Sequence, residues 1–277
     1  MTGEPGHRAA DYGERAVEAA REVIAELSEI IRRLGEPAVL VGGWVPELAF
    51  PDAEPRHVGS LDVDLLLDPD RLEPGQADAL ARALKAHGYR RTEPPFRYTR
   101  QVRVDGGEPI EVEVDLLVPQ GTPFRVLSRA MASLRPAPAA GGALALRSRH
   151  RLPFEGTTPK GRRVHGDLVV PGIGAWLVMK AHALAGRDKE KDAYDIGLAL
   201  RSLPDAPAAI AGELAPHRRR AEVRRALEIL RERFRSPDDF GPQAFSRFVG
   251  PADPDERLFL ARDAYERVQA VLRALGR

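Results

Sequence analysis

Apolar residues recur at helical spacing from the first part of the chain. Val17, Ala20, Val23, Ile24, Leu27, Ile30, Ile31 and Leu34 share one face of a helix turning about 100° per residue, which predicts an amphipathic helix over 11–34, stopped by Gly35. The apolar run 38–41 then predicts a short strand that ends at Gly42-Gly43, and a short helix opens at Trp44. Residues 61–67 read as a second strand, and residues 76–87 as a helix burying Leu80 and Leu84, with Gly88 as its cap. A hairpin follows: 97–104 alternates, Asp105-Gly106-Gly107 turns, and 110–118 returns. Residues 135–142 read as a loop near a domain junction. From Pro171 onward the pattern is helical, with Pro171 in the first turn and further helices near 189–203, 205–215, 217–234 and 254–275.

The second strand carries the first chemical signal. Asp62 and Asp64 are two apart, so a strand turns both carboxylates to one side. Like charges held that close repel unless a cation joins them, and paired hard oxygens suit Mg²⁺ bridged to substrate phosphates. A glycine turn beside them lets backbone N–H groups approach phosphate oxygens, so Gly42, Gly43 and the two aspartates read as a nucleoside triphosphate site. On the returning hairpin strand Glu111, Glu113 and Asp115 share a face. Asp115 is the best third carboxylate because it begins an apolar run, as Asp64 does; the plain alternative for this stripe is a solvated sheet face.

A second group lies downstream. Lys180, Arg187, Lys191 and Asp195 fall on one side of a continuous helix, with Asp192 adjacent, unless Gly186 breaks it into two. A lysine there could hold a β- or γ-phosphate; equally, Lys191 and Asp195 form an ordinary ion pair four apart. Between the two groups Arg147, Arg149, Arg151, Lys160, Arg162 and Arg163 are opposed only by Glu155. That basic stretch could guide a phosphate backbone or be a solvated surface.

Composition narrows the classes. The net charge of +1 gives no overall polyanion-binding field, and 37 arginines against 5 lysines read as coding bias that lowers the weight of any one arginine. Absence of cysteine excludes disulfides, thiolate nucleophiles and cysteine-based zinc sites. The seven histidines form no paired zinc motif. Residues 1–6 lack the apolar core of a signal peptide, and no stretch reaches the about 18 apolar residues a membrane span needs. A cytoplasmic protein without membrane attachment is expected.

Gly42-Gly43, Ser60-x-Asp62-x-Asp64 and Asp115 resemble the DNA polymerase β-type nucleotidyltransferase superfamily. The downstream Lys180, Arg187, Lys191, Asp192 and Asp195, in that order, narrow the resemblance to the AbiEii/AbiGii-type nucleotidyltransferases, which include toxins of bacterial toxin–antitoxin pairs and tRNA-modifying toxins. The likeness covers about 36–200; Val58 stands where the family has a basic residue, and Lys191 where Arg is commoner. The resemblance implies an α/β (α+β) fold: a mixed sheet flanked by helices, joined to a helical C-terminal domain. The expected division is an N-terminal helix 1–35, a catalytic domain 36–170 and a helical domain 171–277.

It further implies that Asp62, Asp64 and Asp115 serve the metal, with Asp115 as general base. Gly42, Gly43 and Ser60 would hold phosphates, and Lys180 would neutralise the leaving pyrophosphate. Arg187, Lys191, Asp192 and Asp195 would complete the nucleotide site. Three functions follow: nucleotidyl transfer to RNA or tRNA by a toxin with a cognate antitoxin, transfer to a small molecule, or an idle nucleotide-binding partner module.

Overall fold

A computed structural model of the chain describes residues 8, 9, 12–186 and 188–276. They form two compact units. One comprises 13–48 and 59–171; the other comprises 49–58 and 172–276, with Ala9 and Tyr12 packed on its core. The fold is mixed α/β with a helical C-terminal region. Among the described residues no helix is long and apolar enough to cross a membrane.

In the sheet unit, helix α1 (Glu14–Arg33) precedes strand β1 (Ala38–Val41), the start of helix α2 (Trp44–Ala49) and strand β2 (Asp62–Leu67). Helix α3 (Gln76–Ala86), the two-residue β3 (Arg90–Arg91), and strands β4 (Arg97–Val102) and β5 (Ile110–Pro119) follow. The strand order is β1-β2-β5-β4-β3. Only the β2–β5 pair on that path is parallel; its neighbours run antiparallel.

Strand alternation divides this sheet into two faces. Val63, Leu65, Val112, Val114 and Leu116 are buried on one of them. The apolar stripe of α1, including Val23, Ile24 and Leu27, is buried too, and α1 packs over β2, β4 and β5. At about 25 cal/mol per Å² of apolar surface, each such side chain contributes roughly 1.5–3 kcal/mol. That burial fixes the register, because a one-residue slip would turn the carboxylates of β2 and β5 into this layer. The opposite face therefore receives Asp62, Asp64, Glu113 and Asp115.

Three features here depart from the pattern-based reading. The supposed loop 135–142 contains strand β6 (Ala137–Ala139), which pairs in parallel with the end of β5, after the short helix α4 (Phe124–Arg129). Helix α5 (Gly142–Arg147) comes next. The basic stretch beyond it is a hairpin of β7 (Arg149–Thr157) and β8 (Arg163–Pro171), a second two-stranded sheet. Its alternation is masked because many outward positions are charged and Gly166 interrupts the apolar series Val164, Leu168 and Val170. Pro171 closes β8 instead of opening a helix. Gly186 ends helix α6 (Ile173–Gly186), the break left open in the sequence reading, so α7 (Glu190–Ser202) is separate.

The helical unit continues with α8 (Ala206–Leu214), α9 (Ala221–Arg233), α10 (Phe240–Val249) and α11 (Pro254–Leu275); α10 was not expected. Its core includes Tyr194, Leu198, Phe245, Phe248, Leu260 and Ala264. Tyr194 lies against Phe248 with ring centroids 4.5 Å apart. Helices α7 and α10 approach closely because position 197 has no side chain: a Cβ on Gly197 would lie 2.5 Å from the ring of Phe245. Since Phe245 is itself buried, Gly197→Ala overpacks the core and is expected to cost about 1–3 kcal/mol, read as a lower midpoint in denaturant unfolding.

Candidate functional site

The acidic face is built by three local devices. β1 ends opposite Asp64, where Val41 is its register partner, and Gly42 then turns the chain at φ +76°. A Cβ on Gly42 would sit 2.0 Å from Asp64 Oδ2, so only glycine leaves room for that carboxylate. Trp44 Nε1–H donates to the carbonyl of Asp62 at 3.0 Å and ties the start of α2 to β2. The buried Ser60 hydroxyl donates to Asp62 Oδ1 at 2.5 Å, fixing the side chain next to it.

Across the parallel pairing, Asp62 is registered with Glu113 and Asp64 with Asp115. The structure thus brings Gly42, Ser60, Asp62, Asp64 and Asp115 together on one face of the sheet, with Gly43 following in the same turn. Arg97, which the sequence pattern does not single out, joins them from β4, where it pairs with Asp115. Its guanidinium grips both Asp115 oxygens, Nε to Oδ1 at 2.8 Å and Nη2 to Oδ2 at 2.9 Å, and Nη1 reaches Glu113 Oε2 at 2.8 Å. The hydrogen bond with Asp115 raises the guanidinium pKa further above its ordinary value. Partial burial opposes this, and the fields of Asp115, Glu113 and Asp62 reinforce it. The available signal was parity: Arg97 opens the strand whose outward positions meet the acidic stripe.

The donor chemistry suits a hard cation at two of the three aspartates. Asp62 and Asp64 offer only oxygen, and the Asp64 carboxylate occupies the room that a side chain at 42 would take. Asp115 differs, since both its oxygens already accept from Arg97. Among the described residues no three His, Cys, Asp or Glu side chains are arranged as a ready ion cage.

The downstream group sits in the helical unit. Lys180 of α6 is buried and donates to Asp192 Oδ1 at 2.9 Å, with Asp195 Oδ2 at 2.6 Å. Lys191 also pairs with Asp195, and His57 Nε2 lies 2.9 Å from Asp195 Oδ1. Burial pushes Asp195 upward, but Lys180, Lys191 and His57 outweigh it and hold the carboxyl well below its usual range. Burial would lower Lys180, and Asp192 and Asp195 together raise it above the usual lysine value. The Lys180 charge is thus already met by two buried carboxylates, and parting a buried pair costs several kcal/mol, roughly 3–5. Arg187 lies outside the described residues. No local pattern marked His57, because its partner is 138 positions away.

His57 is buried, and its pKa is lowered to about 4 by burial first and by the Lys191 charge next, against the pull of Asp195. The neutral ring therefore donates its Nε2–H to the ionised Asp195. A tilted contact of this ring with Tyr194, centroids 5.3 Å apart, and the bond from Val58 N–H to Tyr194 Oη at 3.1 Å fasten the 49–58 segment to α7.

No family model matches the sequence, and comparison with curated proteins gives no match. Among solved structures, the chain is similar to an antigenic nucleotidyltransferase-like protein from Paracoccidioides brasiliensis. The identity is 15%, the TM-score is 0.47, and the match covers 84% of this chain and 92% of that one.

Two outcomes are expected. Gly42→Ala should lower stability by only about 1–2 kcal/mol, the cost of a left-handed alanine, because the Asp64 carboxylate can swing aside. Divalent-ion binding, followed by calorimetry, should fall far more than the unfolding midpoint. For His57 the unfolded ring binds a proton near pH 6.5 and the folded ring only near pH 4. Stability should therefore decline as pH falls through that window, by roughly 3 kcal/mol in all, and no further below it on account of this ring. Urea unfolding of the native chain and of His57→Gln at pH 7, 5.5 and 4.5 checks this, the variant losing most of that slope.

Proposed function

We propose that the protein is a Mg²⁺-dependent nucleotidyltransferase that moves a nucleoside monophosphate from a nucleoside triphosphate to an acceptor hydroxyl, with RNA or tRNA as the acceptor. The observation that supports this reading is the side-by-side register of Asp64 and Asp115 beside a left-handed glycine turn whose missing side chain leaves room for the Asp64 carboxylate. Asp62 and Asp64 would hold Mg²⁺, which supplies charge neutralisation on the transferring phosphoryl group. Gly42 and Gly43 offer backbone at the phosphates. Ser60 keeps Asp62 oriented. Asp115 takes the proton of the acceptor hydroxyl: each of its oxygens spends one lone pair on Arg97 and retains another. Arg97 orients Asp115 and offsets the stripe's charge. The resemblance to AbiEii/AbiGii-type proteins extends the proposal to a toxin held in check by a cognate antitoxin.

The test is incubation with each labelled nucleoside triphosphate, Mg²⁺ and total RNA. Label should enter RNA. Asp62→Asn or Asp64→Asn should reduce transfer by roughly a hundredfold or more while circular dichroism and unfolding stay near normal. Asp115→Ala should be as severe, and Glu113→Ala and Glu111→Ala much milder. Label confined to small molecules would replace the RNA acceptor with a small one. A fully active Asp64 variant would remove the proposed chemistry altogether.

A further inference from the structure

The hairpin and its neighbours divide the basic stretch into two parts. Arg151 pairs with Glu36 and Arg162 with Glu29, so these two charges serve to hold the hairpin to α1 and the residues just after it. Arg147 and Arg149 instead line a cleft of about 570 Å³ together with Arg71 and Arg125. The cleft opens where β2 and β5 end, at Asp68 and Pro119. About 20 Å of strand separates Asp68 from Asp62, at roughly 3.3 Å per residue.

Four arginines face two aspartates in this cleft. Buried Asp68 is already satisfied: its Oδ2 accepts from Arg149 Nη2 at 3.0 Å, with Arg71 Nε at 3.8 Å, and its Oδ1 accepts from the N–H of Asp70 at 3.1 Å. Arg125 and Arg147 are exposed and make no ion pair among the described residues. The second observation is independent of charge. Phe124, between the lining residues Pro123 and Arg125, is 82% exposed, although burial would favour removing its ring from water. Phe124 is not itself part of the lining, but it opens α4 at the lining segment 123–126, and an uncovered aromatic at that segment with the exposed Arg125 and Arg147 matches the two demands of an unpaired polynucleotide: a flat surface for a base and cations for the phosphodiester chain.

We infer that this cleft binds a single-stranded nucleic-acid segment, one base stacking on Phe124 and the backbone meeting Arg125 and Arg147. It rests on the proposed transfer only in making that segment part of the acceptor. Binding itself needs neither metal nor nucleotide, so a failed transfer assay and a failed binding assay are distinct results.

The experiment is fluorescence anisotropy of the full chain with labelled single-stranded RNA, single-stranded DNA and duplex RNA decamers, over a salt series, without Mg²⁺ or nucleotide. A single strand should bind more tightly than the duplex, and the RNA and DNA arms identify which sugar is preferred. Phe124→Ala should weaken binding by roughly tenfold with the salt slope unchanged. Arg125→Ser with Arg147→Ser should weaken it and lower the log–log salt slope by about 0.7 for each phosphate that is no longer neutralised. These positions are exposed, so the variants should keep the native unfolding midpoint. No single-strand binding, equal binding of the duplex, or affinities indifferent to all three substitutions would overturn the inference. Inorganic tripolyphosphate that abolishes binding of the native chain but not of the arginine double variant would support the phosphate role.

Discussion

Like-charge repulsion across one pair of strands is the constraint around which the sheet unit is organised. β2 and β5 run side by side in parallel at a spacing of about 4.8 Å, and their register sets Asp62 beside Glu113 and Asp64 beside Asp115. Carboxylates so placed oppose the pairing that aligns them. Pairing persists because the other face is dry: Val63, Leu65, Val114 and Leu116 lie buried in the layer beneath α1. The hydrophobic layer thus stabilises an acidic face that would be unfavourable on its own.

Arg97 offsets part of that repulsion and leaves the rest. Its three nitrogens serve Asp115 and Glu113, one strand's share of the stripe. Asp62 has the Ser60 hydroxyl, which is neutral and cannot cancel its charge. On the β2 side, the absence of a side chain at Gly42 leaves the room that the Asp64 carboxylate occupies.

In the helical unit, charge is handled in the opposite way. Lys180, Lys191, His57, Asp192 and Asp195 form one set in which buried carboxylates meet ammonium groups. Such a set holds α6, α7 and the 49–58 segment in one arrangement, because a displaced partner would strand a charge out of water. Arg125 and Arg147 of the sheet unit's cleft are exposed, and their charge can be spent on a ligand without breaking the fold.

Much of this was legible in the sequence because the relevant signals are local. The spacing of Val23, Ile24 and Leu27 determined α1, two-residue alternation determined β2 and β5, and the parity of Asp62, Asp64, Glu113 and Asp115 followed directly. Glycine at 42 announced a turn. Tertiary structure decided the rest, since those facts depend on partners far apart in the chain. Arg97 reads as one more arginine until β4 is laid beside β5. Lys180 gives no sign of its partners until α6 and α7 are seen to bring it to Asp192 and Asp195. His57 has no signature at all, and the cleft arginines stand apart from Arg151 and Arg162 only once the hairpin spends the latter on Glu36 and Glu29. Periodicity reports which side of an element faces inward, whereas the identity of an ion's partner depends on strand order and register, which a linear pattern does not encode.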